Sequence, residues 1–156
     1  MSTRANVILK EGNEKLFFYR HHDGYPSGTM PTLEKFMQWI KDGKIRNNIQ
    51  QSGGWLILIG ANEYKTTAPK GWEEKFPEDL PQDSRKYYSD SEVRIEPKDW
   101  KVGAYEPTTG IHGDIDYLYT VDLEYMEIKI EEVYYDKNPV TDEYTNNFVE
   151  IEKRAY

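Results

Sequence analysis

Residues 126–131 read MEIKIE, and the alternation is strict: Met126, Ile128 and Ile130 fall on one side of an extended chain, Glu127, Lys129 and Glu131 on the other. A period of two fits a half-buried strand and no helix. The chain must therefore build a sheet with one wet face, and sheets of that kind are antiparallel. Neighbouring segments extend the pattern. Ile115, Tyr117, Tyr119, Val121 and Leu123 share one face of a strand, and NNFVEIEKR closes a C-terminal meander.

At the other end, ANVILK and KLFFYRH flank EGNE as a hairpin. A three-residue loop sets Glu11 opposite Lys15. A two-residue loop opposes Lys10 to Lys15 and Glu11 to Glu14, and like charges facing across strands are unfavourable, so the longer loop is expected. DGYPSG then reads as a turn. In PTLEKFMQWIKDGK, Leu33, Phe36, Met37 and Ile40 recur at helical spacing, with proline at the start and Gly43 past the end, which predicts a helix over about 32–42. IRNNIQQSGG adds a short helical turn, and the apolar run of GGWLILIGANEY, bounded by glycines, reads as a buried strand.

From about 65 to 99 the periodicity dissolves among Pro69, Pro77, Pro81 and Pro97, giving a long irregular excursion with Trp72, Phe76, Tyr87 and Tyr88 to bury. The expected architecture is a single domain over 1–156 of the α+β class: a mostly antiparallel sheet of five to seven strands with one principal amphipathic helix. Aromatic residues are 14% of the chain, 13 of them tyrosines, against a hydrophobic content of 37%, so the core must lean on rings.

Charge narrows function. A formal net charge of −8 excludes sequence-independent nucleic-acid binding, which depends on Lys and Arg displacing counterions. The 28 acids are interspersed with 20 bases, the pattern of a solvated surface rather than of a nucleic-acid mimic. Without cysteine there is no disulfide framework, thiolate metal site or cysteine nucleophile, so any metal needs His and carboxylate ligands. The apolar run in MSTRANVILK is too short for a signal peptide or a membrane span, and a soluble protein of the cytoplasm is expected.

Two strings could carry chemistry. The first is FYRHHDGYPSG: either hairpin register brings Thr3 and Arg4 beside His21, His22 and Asp23, with Tyr25 following. A guanidinium, two imidazoles and hydroxyls suit a phosphate or carboxylate on a small ligand. The bland alternative pairs Arg4 with Asp23 and leaves the histidines to cap the hairpin end. The second string is IHGDID, which repeats the His-x-Asp spacing at His112 and Asp114. If both pairs met, His21, Asp23, His112 and Asp114 would offer metal ligands. No Gly-x-Ser-x-Gly elbow, P-loop or dinucleotide fingerprint is present. No cofactor is expected, and should there be catalysis, His21 or His22 would act as general acid or base.

On STRANVILK, FYRHHDGYPSG and YEPTTGIHGDIDYLYTVDL, the chain resembles small proteins of tailed bacteriophages and prophages that carry an N-terminal Thr-Arg segment and a His-x-Asp-Gly-Tyr-Pro segment. The matching positions are Thr3, Arg4, His21, Asp23, Gly24, Tyr25 and Pro26. The resemblance implies a bacterial host cytoplasm and a role in host takeover or counter-defence, without implying a reaction. The leading expectation is a non-enzymatic binder of a small anionic ligand, such as a nucleotide, through Thr3, Arg4, His21, Asp23 and Tyr25. One alternative is a His- or metal-assisted phosphodiesterase or nuclease. Another is an inhibitor that meets a host protein through Trp72, Trp100 and the acidic excursion. The alternating C-terminal strands could also leave an edge through which two copies pair.

Overall fold

A computed structural model describes residues 3–64 and 103–156. The excursion expected at about 65–99, with its four aromatics, and Trp100 lie outside the described residues. The elements are β1 (Ala5–Glu11), β2 (Glu14–Arg20), α1 (Pro26–Lys41), α2 (Ile49–Tyr64), β3 (Glu106–Thr108), β4 (Tyr117–Asp122), β5 (Glu127–Lys137) and β6 (Tyr144–Ala155). The six strands form one sheet in the order β3-β2-β1-β4-β5-β6. β1 runs parallel to β4, and the other neighbours pair antiparallel, so the α+β class and the mostly antiparallel sheet hold. Among the described residues no helix is long and apolar enough to cross a membrane.

The hairpin register differs from expectation. Lys10 faces Lys15 and Glu11 faces Glu14 across a two-residue turn at Gly12 and Asn13. Two stronger effects override the like charges. Gly12 takes φ +60, which a two-residue turn with glycine in its first central position requires. This register also puts buried Val7 opposite buried Phe18 and sets buried Leu9 on the same face. A slip of one residue would turn that whole set out of the core. Asp122, 3.8 Å from the Lys10 amine, relieves part of the repulsion.

Both helices differ as well. α1 begins at Pro26, not near 32, so PSG is its first turn and Pro31 sits inside it. Pro26 at the first helical position has the dihedral a helix needs. Pro31 forgoes only the bond to the Ser27 carbonyl, and both of these residues are exposed. GGWLILIGANEY is not a strand: the whole of 49–64 is the second helix. Asn48 Oδ1 accepts from the backbone N–H groups of Gln50 and Gln51 at 3.1 and 3.2 Å, a helix cap that the glycine-bounded run obscures. Gly53 and Gly60 within it are sites of close approach, not breakers. A Cβ on Gly60 would lie 2.7 Å from the Tyr105 ring, and one on Gly103 would lie 2.6 Å from the Ala61 backbone nitrogen.

The helices cover one face of the sheet. There Val7, Leu9, Phe18, Tyr119, Val121, Ile128 and Ile130 meet Leu33, Phe36, Met37, Leu56 and Ile59. A smaller cluster of Ile8, Tyr19, Ile115, Leu118 and Val133 lies apart from it, with β-strand members on the opposite face. Tyr105 and Tyr119 are buried on the helix side, where desolvation raises both phenols well above 10.0; burial beside Glu34 carries Tyr156 to about 12. Unfolded tyrosines release their protons near pH 10, whereas these hold theirs in the folded chain. The native state therefore binds more protons above pH 10, and stability, complete below that pH, falls as pH rises through it. Far-UV circular dichroism should collapse together with the rise of tyrosinate absorbance from these groups. Smooth ionisation of all 13 tyrosines near pH 10 in a chain that stays folded would contradict this burial.

Candidate functional site

Extension of the hairpin past Ala5 and Arg20, which pair, carries Arg4 toward His21 and Thr3 toward His22. The corner that follows is held rigidly. The Gly24 N–H donates to the Thr3 carbonyl at 2.9 Å, and the Tyr119 hydroxyl donates to the Gly24 carbonyl at 2.6 Å. A Cβ at Gly24 would strike the Thr3 carbonyl at 2.8 Å, so glycine is needed there. Asp23 takes φ 54, a left-handed conformation that aspartate tolerates better than most residues.

Beneath the corner, Arg20 is buried. Its guanidinium meets the Glu63 carboxylate through two nitrogens, at 2.7 and 3.1 Å. It also donates to the carbonyls of Asp23 and Gly28, and it lies over the Tyr105 ring at 5.3 Å. One side chain thus ties the end of β2 to the start of α1 and the end of α2. His21, His22 and Asp23 stand exposed on top of that anchor.

The second string arrives from the loop between β3 and β4. Asn6, fully buried, donates to the Phe18 carbonyl and accepts from the His112 N–H at 2.8 Å, which clamps the loop to the sheet. The His112 ring stacks on Tyr19 at 4.1 Å between centroids with 9° between planes, and its Nε2 lies 3.1 Å from the Thr108 hydroxyl. The Tyr19 hydroxyl meets His21 Nδ1 at 2.8 Å, and the His22 ring packs edge-on against His21 at 4.6 Å. Two of the three histidines of the chain thus contact Tyr19, and the third packs on one of those two. Burial raises the Tyr19 phenol, Asp114 adds to that and Arg4 opposes it, so the ring remains a neutral bridge between imidazoles.

Arg4 does not pair with Asp23. Its Nη1 donates to Asp114 at 2.7 Å, and its backbone N–H donates to Asp116 at 3.2 Å. Asp23 Oδ1 instead accepts from the Tyr25 hydroxyl at 3.1 Å, which raises that phenol. The two His-x-Asp strings do converge, but their carboxylates are turned to other partners. Among the described residues no group of three or more His, Asp and Glu side chains is arranged to hold a metal. Residues 108–114 line an open cleft of about 430 Å³, with His112, Asp114 and the exposed Ile111 on its walls.

Thr3, Arg4, His21 and His112 thus lie in one neighbourhood, with Asp23 and Tyr25 on the adjoining corner. Sequence reasoning missed Tyr19, Asn6 and Thr108. Alternation could have flagged Tyr19, which is in phase with Phe17 and opposite to Phe18. Nothing local marks Asn6, whose partner lies 106 residues away. Comparison of the chain with family models, with curated proteins and with solved structures returns no match.

Proposed function

We propose that this protein binds a small anionic ligand of the nucleotide class at the sheet end where Arg4, His21, His22 and His112 gather. The observation that carries the reading is an open cleft lined by His112 and Asp114, with His21 joined to His112 through Tyr19 and the Arg4 guanidinium on Asp114, in a chain of net charge −8. Such donors make charge-assisted bonds to phosphate, while Ile111 offers an apolar surface to a base or sugar. Thr3, Asp23 and Tyr25 border the same corner as secondary contacts. A setting in a phage-infected cell rests on the sequence resemblance alone.

Nucleoside mono- and diphosphates should raise the thermal midpoint in a concentration-dependent way. Arg4→Met and His112→Ala should each weaken binding by about ten- to hundredfold, the worth of one bond to a charged group. An exposed substitution remote from the cleft, Val140→Ser, should leave it unchanged. A nucleotide series with no stabilisation and no heat of binding would remove the reading.

A second reading draws on one observation: His21 and His112 both contact Tyr19. It is a His-based phosphodiesterase. Turnover of an activated phosphodiester that disappears in both His21→Gln and His112→Gln would favour it over simple binding.

A further inference from the structure

We propose that β6 is a self-association edge, along which two copies of this chain pair antiparallel about a two-fold axis at Phe148. The two edges of the sheet are unlike. β3 has three residues and contains Pro107, which cannot donate to a ladder, so that edge is blunted. β6 has twelve residues with neither proline nor glycine. Among the described residues no hydrogen bond reaches its outward backbone groups. Phe148, Val149 and Ile151 on it are 38, 48 and 47% exposed, as is Tyr144 at 67%.

The pattern of β6 is complementary to itself. The strand carries Glu150 and Glu152 against Lys153 and Arg154, so it is neutral within a chain of −8, and a second copy meets little net repulsion there. Against β5, Ile151 is an extra residue: Ile130 pairs with Glu152 and Glu131 with Glu150. With Ile151 left unpaired in the same way, an axis through Phe148 sets Asn147 opposite Val149 of the second copy, and Asn146 opposite Glu150. Thr145 then meets Glu152, Tyr144 meets Lys153 and Glu143 meets Arg154. Every residue from 143 to 154 except Ile151 gains a partner on its own face, and no like charges oppose. The two copies of Phe148 meet as an aromatic pair on the axis, and the ends close with opposite charges. Arg154, which also holds Glu34 and Glu152, stands opposite Glu143 of the second copy in this register. The interface borders the cleft, because the Asn146 amide donates to the Gly113 carbonyl at 3.4 Å.

Sedimentation equilibrium of the full chain at about 0.1 mM should give an average mass clearly above that of one chain, since a dissociation constant of about 0.1 mM already pairs about half of the chains there. Phe148→Lys, which sets two like charges on the axis, should weaken association by roughly tenfold or more with an unchanged circular dichroism spectrum. Phe148→Cys should form an intermolecular disulfide on mild oxidation, because residues opposed across an antiparallel pair lie about 4.5–5.5 Å apart between Cα atoms, within disulfide range. The native chain has no cysteine to compete. Ile57→Cys, on an exposed position of α2, is the control and should not cross-link comparably. A single-chain mass for the native protein, a Phe148→Lys variant that associates as tightly as the native chain, or equal cross-linking at both cysteines would overturn the proposal.

Discussion

Arg20→Ala is expected to cost about 3–5 kcal/mol, the range for a buried charge pair that loses one partner. Arg20 is 1% exposed, and Glu63, its carboxylate partner, is mostly buried at 19%. Truncation would leave that carboxylate without its cation, release the carbonyls of Asp23 and Gly28, and open a void beneath Tyr105. Against a typical domain stability of about 5–15 kcal/mol, the loss brings the chain near unfolding at 37 °C. Urea denaturation followed by circular dichroism would read it as a lower midpoint with an unchanged slope. Replacing both partners, Arg20→Met with Glu63→Leu, should recover a large part of the loss, since matched apolar groups need no counter-charge. A cost below about 1 kcal/mol for Arg20→Ala would show that the pair does not anchor the corner.

Phe36→Ala is expected to cost a similar amount, about 3–5 kcal/mol, by a different route. Phe36 is fully buried on α1, facing the sheet among Leu33, Met37 and Ile40. Its removal forfeits the transfer free energy of the ring and leaves a cavity between helix and sheet that rigid strands close only in part. Phe36→Leu should cost much less, because it retains most of the volume. Similar midpoints for the alanine and leucine variants would mean that α1 packs loosely on the sheet.

These two side chains separate what was legible from what was not. Phe36 could be assigned to the core from the spacing of Leu33, Phe36, Met37 and Ile40. Arg20 presented only a contradiction, a cation in phase with Phe18 on the buried face of β2. Its resolution lay 43 residues away on a helix whose sequence reads as a strand. The same division runs through the candidate site. The nearness of Thr3 and Arg4 to His21 and His22 follows from a hairpin in any register. The rotation of Arg4 toward Asp114, and the stacking of His112 on Tyr19, required the loop after β3 to fold back across the sheet.

By itself the sequence determined the local matters: strands from their period of two, the core face of α1 from its period near four, and the clustering of polar groups at one hairpin end. These depend on contacts among near neighbours, where geometry leaves few choices. Only the tertiary structure decided the hairpin register, the helical state of residues 49–64 and the partners of Arg4 and Arg20. In each case a weak local preference met burial against a distant element, and the free energy of burying an apolar face or pairing a buried charge outweighed it.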